Sequence, residues 1–515
     1  MSTRRSRILL EIHRFADFLK IFVRNRRGIL GIAIIVAFVA VALGANVITP
    51  HSPTAIVIFP KTAYRYSKPF WYGSLFPAEN ISQNIDPIPD PNFNAANGID
   101  QLQFDLTLAN QELVYAEFVQ NVGYPDGSGP GSGAIKFRRG ADVSPYGTAN
   151  ASLTKSFTFP YSFPPEQFQG QVAILVENPQ NLSIEVSLFL ENVESGARVS
   201  WSNENFIEAP SGEWAIPYPL MDSDNAYARK YLSDTLGQVW FKDPVKVMFD
   251  RPGEYRFGVE VSFNDTSVGQ SAEAAVYIDD LWLRVFGNSY GLLGTDQYGR
   301  DIFTQLAYGT RISMFIGLVT AFLTTVIGLG VGITAGYVGG YVDQVLMRFT
   351  DMLLVIPEVA LFIVLIAVAG ASIWNLIWIM VIVGWTGFAR IARSQTLSLK
   401  ERPFVEAAKA VGGGKGHIIF RHIVPNVMSL VYVSLATAVP GAIINEAWLS
   451  FLGLYDPTVM TWGRMLYDVE NTTSGIYMWW WVIPPGLCIA AISLSFILIG
   501  YALDDVLNPK LRERR

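Results

Sequence analysis

Apolar residues fall into long uninterrupted runs near the start of the chain and through its last two fifths. Gly28–Ile48 and Ile312–Val342 contain no charged side chain, and Met352–Ala389 contains one, Glu358. Met428–Asn445 and Trp479–Ala502 complete the set. A bilayer core of roughly 30 Å is crossed by a helix of about 20 apolar residues. Met352–Ala389 is long enough for two crossings with a turn near Gly370–Ser372, so the pattern predicts six transmembrane helices. Between the first two runs the period changes. Tyr255, Phe257, Val259, Val261 and Phe263 alternate with polar or small residues, as do Ile184, Val186, Leu188 and Leu190. Period two predicts half-buried antiparallel strands. Gln171–Val176, Gln238–Phe241, Val245–Phe249 and Ala274–Phe286 are further strand candidates, with turn signals such as DRPGE (Asp250–Glu254) among them. Up to about residue 165 the segment reads instead as polar and rich in Pro and Gly. The expected fold class is a polytopic α-helical membrane protein with an inserted extracytoplasmic, mainly-β domain, a β-sandwich.

Composition agrees with a membrane protein. Of 515 residues, 50% are hydrophobic and only 16% charged, with a mean hydropathy of +0.29. The net charge of −6 and the lack of a long basic run argue against nucleic acid as a partner. The single cysteine, Cys488, allows no internal disulfide and reads as a small packing residue. His13, His51, His417 and His422 have no metal-ligand spacing, so no metal site is expected. The first apolar run lacks the short n-region and nearby cleavage site of a signal peptide and reads as an anchor.

Basic residues orient the helices. Arg4, Arg5, Arg7, Arg14, Lys20, Arg24, Arg26 and Arg27 precede the first run. Arg390, Arg393, Lys400, Arg402, Lys409, Lys415 and Arg421 follow the fourth, and Lys510, Arg512, Arg514 and Arg515 follow the sixth. With six spans these three segments share one side, the cytoplasm, and residues of about 51–310 lie outside. Asn80, Asn150, Asn181, Asn264 and Asn471 each begin an N-x-S/T triplet in outside segments.

Two glycine-rich stretches invite a nucleotide-binding reading. GLGVGITAG (Gly328–Gly336) lies inside an apolar run with no strand before it, and reads as close packing of membrane helices through small residues. EAAKAVGGGKGHIIFRHIVPN (Glu406–Asn426) contains GGGKG, but Lys415 is followed by Gly416 where a phosphate-binding loop places the Mg²⁺-binding hydroxyl. Pro403 suits the first turn of a helix, and Phe404, Val405, Ala407, Ala408 and Val411 give that helix an apolar side. Glu406 near its start and Lys409 near its end suit the dipole, and Gly412–Gly414 would stop it. The residues alone fit either a short docking helix or a solvated amphipathic turn.

EAA, three residues, a glycine, and a proline thirteen residues later resemble the cytoplasmic motif of ABC importer permeases. LGTDQYGRDIFTQLAYGTRISMFIGL (Leu293–Leu318), EAWLSFLGLYDP (Glu446–Pro457) with TWG (Thr461–Gly463), and LDDVLNPKLRERR at the end resemble the C-type subunit of the dipeptide/oligopeptide branch. RNRRGILGI and TPHSP around the first run resemble its N-terminal region. The broad family favours an apolar residue where this chain has His422, whereas RHIxPN is usual in that branch. The resemblance spans about residues 15–60 and 290–515. Residues of about 60–290 have no counterpart in the common form of the subunit.

The resemblance implies a non-catalytic permease subunit forming half of a peptide pathway. It would couple to two ATPase subunits through Glu406, Ala407, Ala408, Gly412, Gly413, Lys415 and Pro425. No cofactor is expected on this chain, ATP-Mg being held by the ATPases. A second permease subunit in a heterodimer, an external solute-binding protein and membrane lipid are the other implied partners. The implied layout is a cytoplasmic arm 1–27, a first helix 28–48, an insertion 51–290 and an outer-face amphipathic segment 291–311. A permease core 312–505 with coupling loop 393–427 and a basic tail 506–515 follow. Asp296, Arg300 and Asp301 read as a structural helix entry. Glu358 is an intramembrane carboxylate, hence a candidate lining residue of the pathway; it also stands past Asp351 near the cytoplasmic end of its span, where headgroups or water are within its reach. AVYIDDLWL (Ala275–Leu283) resembles the closing strand of carbohydrate-binding jelly rolls, so oligosaccharide is a second cargo, with nickel a third. A secondary transporter using Glu358, or a receptor sensing through the β domain, would leave the docking motif unexplained.

Overall fold

The computed structural model describes residues 25–507, apart from 50, 56–61, 95–97, 108–112, 126–130, 144–146, 180–181, 202–211, 217–219, 238–242, 267–269 and 473–476. Most of the basic arm, the basic tail, Asn181 and the strand expected at Gln238–Phe241 lie outside the described residues. The chain divides into two compact units, residues 1–56 with 300–515, and 57–299.

The first unit is helical. Its helices are α1 (Arg26–Ile48), α2 (Ile302–Val338), α3 (Gly340–Val355), α4 (Glu358–Ala369), α5 (Ile373–Gly384) and α6 (Thr386–Lys400). They continue with α7 (Pro403–Ala410), α8 (Val424–Phe451), α9 (Trp462–Glu470) and α10 (Trp479–Leu507). Among the described residues five helices are long and apolar enough to cross a membrane: α1, α2, Ile373–Lys400, Lys415–Phe451 and α10. The apolar run that begins at Met352 behaves differently from the expectation. Met352–Val355 belong to α3, and the chain then bends by 89° into α4. Pro357 is the cause, because its ring removes a backbone donor and pushes the residue before it out of helical geometry. At about 1.5 Å per residue, α4 alone is only roughly 18 Å long.

Small residues set the spacing of this unit. An added Cβ at Gly328, Gly332 or Gly336 would stand 2.8, 2.5 or 2.9 Å from the carbonyl oxygens of Trp385, Ala389 and Arg393. One glycine per turn of α2 therefore lets the backbone of α5–α6 lie directly against it, and GLGVGITAG is a packing seam. Gly31 does the same for α1, where a Cβ would stand 2.6 Å from the Ser495 carbonyl oxygen of α10.

At the other end of α2, Asp301 caps the helix by accepting from the Thr304 backbone amide at 2.8 Å. Arg300 reaches Asp468 of α9 at 3.4 Å, and both are buried. Glu446 of α8 is fully buried and accepts from the Ser450 hydroxyl at 2.8 Å and the Ser313 hydroxyl at 3.5 Å. The Ser313 oxygen in turn accepts from the Trp462 amide at 3.2 Å. This chain of bonds ties α8, α2 and the start of α9, so the EAWLSFLGL and TWG stretches are one structural lock.

The second unit holds two antiparallel sheets. One has the order β1 (Gln103–Thr107), β4 (Gly147–Phe159), β10 (Gly253–Asp265), β6 (Ser183–Asn192), β7 (Arg198–Trp201). The other has the order β2 (Val114–Gln120), β3 (Gly131–Arg139), β11 (Ala272–Phe286), β5 (Gln167–Glu177), β8 (Trp214–Ala215), with β9 (Met221–Asp222) beside β5. Tyr255, Phe257, Val259, Val261 and Phe263 of β10 share one core with Ile135, Phe137, Val172, Ile174, Val276 and Ile278 of the other sheet.

Three expectations for this unit are corrected. Val245–Phe249 is not a strand: Pro244–Met248 is a short helix, because Asp243 caps it by accepting from the Val245 amide and Pro244 occupies its first turn. The region before residue 165 is not merely polar loop, since β1–β4 lie there. Their inward positions include small residues such as Ala149 and Ala151, which hide the apolar alternation. The unit also extends past 51–290. Backbone bonds from Tyr66 to Asp296 (2.9 Å), Lys68 to Asn288 (2.8 Å) and Phe70 to Gly291 (3.0 Å) sew its first residues to its last. The later part of the expected 291–311 segment is the first part of α2.

Candidate functional site

The stretch following α6 forms a braced surface. Arg402 is extended, Pro403 opens α7, and Glu406 stands in its first turn with Lys409 in its last. Val405 is fully buried and clusters with Ile333 and Tyr337 of α2 and with Ile418, Ile423 and Val427. Ala408, three residues on and so on the same helix face, packs against that cluster. With Val405 and Ala408 turned in, Glu406, Ala407, Lys409 and Ala410 are exposed. Three apolar side chains stay uncovered around them: Phe404 is 42%, Val411 90% and Phe420 77% exposed.

The glycines turn the chain. The helix ends at Ala410, two residues before the expected stop, and Gly412 takes a φ of +87° that favours glycine. Its amide donates to the Lys409 carbonyl and that of Gly413 to the Ala408 carbonyl, both at 2.9 Å. A Cβ on Gly413 would stand 2.7 Å from the Ala408 oxygen. A phosphate-binding loop works by aiming free backbone amides at its ligand. The Gly412 and Gly413 amides are bonded within the chain.

Lys415–Ile418 then forms one helical turn, and Ile419–Ile423 continues as a π-helical turn into α8. Lys415 is exposed, and Pro425 is exposed in the first turn of α8. The site residues read from the sequence thus lie along one continuous braced segment, Glu406–Pro425. His422 has its ring 5.9 Å from that of His417 and 6.2 Å from that of Phe404. An imidazole there takes part in an aromatic cluster, which an aliphatic residue would not. Arg393 of α6 pairs with Asp343 of α3 at 2.5 and 2.6 Å, and Arg390 with Asp351 at 2.5 Å. Val405 thus joins α7 to α2, and the turns that follow join it to α8.

Glu358 stands apart from this surface. It is the first residue of α4, exposed at the 89° bend, and accepts from the Asn445 side-chain amide of α8 at 3.4 Å. Asn445 was not legible in the sequence as a partner of Glu358, nor were Val405, Ile418 and Ile423 as a set of anchors. Asn445 sits in an apolar run like many packing asparagines, and the anchors meet only when α7 folds back onto α2. Among the described residues no group of three His, Cys, Asp or Glu side chains is placed to hold a metal ion.

Residues 328–513 match the family model described as binding-protein-dependent transport system inner membrane component. Residues 14–69 match the N-terminal TM domain of oligopeptide transport permease C, and residues 70–327 are matched by neither model. The oligopeptide transport system permease protein OppC of Bacillus subtilis is 39% identical over 222 residues, covering 43% of this chain and 72% of the relative. Its namesake in Haemophilus influenzae is 40% identical over 226 residues, covering 43% and 71%. Among solved structures, an inward-facing MetNI methionine ABC transporter chain aligns with a TM-score of 0.31 and 16% identity, over 39% of this chain and 96% of the other. The sequence relatives span more than two thirds of their own length at well over 30% identity, and the chain belongs to the family of binding-protein-dependent transport system inner membrane components.

Proposed function

We propose that this chain is a membrane-spanning subunit of an ATP-driven importer of di- and oligopeptides, and that Glu406–Pro425 is where partner ATPases push. The observation that carries the reading is the exposed face of α7. It combines Glu406, Ala407 and Lys409 with uncovered Phe404 and Val411, on a base clamped by Val405. Small alanines admit close approach, and the apolar neighbours give a partner surface something to bury. The names of the relatives supply the cargo class.

The chain is itself non-catalytic. ATP-Mg binds to the partner ATPases, and their closure moves Glu406–Gly416 as a rigid element. Ala408 braces that element, Gly412 and Gly413 turn the chain out of it, Lys415 extends its polar surface, and Pro425 starts α8 where the push arrives. The helices then rock between outward- and inward-facing arrangements. A second, different permease subunit completes the pathway, two ATPase subunits dock below it, and a solute-binding protein delivers cargo outside. The membrane is crossed six times, with α3–α4 serving as one broken crossing. The termini are cytoplasmic, as the basic segments favour. Residues 57–299 form an extracytoplasmic β-sandwich, supported by two antiparallel sheets that share one core. Glu358 lines the pathway.

The test is uptake of a labelled tripeptide by right-side-out vesicles, loaded with ATP and supplied with the solute-binding protein, from cells lacking this chain. Wild type should restore uptake into right-side-out vesicles, and Glu406→Arg should not. Equal uptake with and without the chain would refute the reading.

A further inference from the structure

We infer that Glu358 and Asn445 together form the point in the pathway that recognises a primary ammonium group, the free N-terminus of a peptide. The inference rests on the importer reading above. The two side chains come from different helices, α4 and α8, and meet at 3.4 Å with the Asn445 amide donating to the Glu358 carboxylate. Both lie in apolar segments, and Glu358 is exposed while Asn445 is half-buried. A carboxylate at membrane depth does not face lipid; it faces a water-filled cavity or another protein surface. Glu358 begins a helix of roughly 18 Å that ends at the turn of Gly370, shorter than a bilayer core of about 30 Å, so a helix that reaches one face with its last turn starts within the core.

The chemistry of the pair selects the ligand. Among the described residues no lysine, arginine or histidine forms an ion pair with Glu358, so its charge awaits compensation from elsewhere. With the Asn445 amide donating to the carboxylate, the amide oxygen of Asn445 and the carboxylate oxygens remain as acceptors. An ammonium offers three donors and one positive charge, which this acceptor set satisfies. A carboxylate or phosphate group would be repelled. α3 turns away at Pro357, and Glu358 stands exposed just beyond the bend.

The experiment uses the transporter purified with all its subunits and its binding protein, reconstituted into liposomes. Uptake of one tripeptide is compared with that of its Nα-acetylated form, and each variant's ratio is divided by the wild-type ratio. This division cancels selection by the binding protein. Glu358→Gln should lower the ratio of free to acetylated uptake by about tenfold, the effect of one lost charge-assisted contact. Glu358→Asp should keep most of the preference, and Asn445→Leu should lower it in the same direction. Equal losses for both peptides would mean a structural role and would overturn the inference, as would unchanged ratios.

A second measurement separates this inference from the importer reading. In a Cys488→Ala background, Glu358→Cys should react with a water-soluble thiol reagent, and free tripeptide should slow the reaction. If it resists labelling with and without ATP, the pair faces lipid or protein and the inference fails. If it labels but the wild-type transporter moves neither peptide while hydrolysing ATP, the importer reading fails and the ammonium assignment falls with it.

Discussion

Gly332 illustrates how one absent side chain fixes a helix pair. A Cβ there would meet the Ala389 carbonyl at 2.5 Å and the Ala392 methyl at 2.7 Å, and neither backbone can retreat without opening the α2–α6 seam. Gly332→Leu should therefore destabilise the helical unit by about 1–3 kcal/mol or more. In a detergent melt followed by tryptophan fluorescence, the variant should unfold several degrees lower, whereas Gly330→Ala should not, because a Cβ at Gly330 meets nothing within 4 Å. This seam was legible in the sequence, since glycines four residues apart in an apolar run have one cheap explanation. Asn445 was not legible, because its role exists only through contact with Glu358, 87 positions away. A second residue-scale prediction concerns Asp280. It stands at a bulge in β11 with a φ of +46°, hydrogen-bonded to the Gln171 side chain. Burial raises its pKa from 3.8 to about 6. An acid with a raised folded-state pKa costs stability once it ionises, so the penalty is absent below about pH 4, grows up to about pH 6 and is complete above it. After allowance for solvent screening, Asp280→Asn should stabilise this region by roughly 1–2 kcal/mol at neutral pH and by nothing near pH 4. Hydrogen exchange of β11 amides across that range reads the difference.

At the scale of elements, α7 has an inward and an outward side with separable roles. Val405 is the anchor, worth about 1.5–3 kcal/mol as a fully buried valine. Val405→Asp should release the segment, seen as faster proteolysis within 401–423 and loss of bound ATPase subunits. Phe404→Ala should leave proteolysis unchanged and weaken only ATPase binding, because Phe404 lies on the open side. Identical protease patterns for wild type and Val405→Asp would contradict the bracing. The helix itself was legible, since Pro403, Glu406 and the glycines mark its limits. Other elements were harder to read. The break at Pro357 hid inside a continuous apolar run, where composition outweighed a single proline. Strand β4 hid because its inward residues include Ala149 and Ala151, too small to register as an alternating pattern. The helix Pro244–Met248 shares valines and methionine with a strand, and only the Asp243 cap and Pro244 decide its form.

At the scale of the molecule, the chain joins a helical unit that belongs to a known permease family with a β unit that neither family model covers. The helical unit was readable because membrane crossing imposes length and charge rules on every segment. The β unit was readable only in its most alternating strands, β5, β6, β10 and β11. Everything proposed about the whole assembly turns on one contact, the docking of ATPases on the exposed side of α7. The direct measurement is purification of the tagged chain from native membranes, as wild type and as Glu406→Arg, with identification of the proteins that accompany it. The account predicts that wild type brings ATPase subunits and a second permease, and that Glu406→Arg keeps the permease and loses the ATPases. Wild type purified under gentle extraction without any ATPase, or a Glu406→Arg chain that retains them in full, would contradict it.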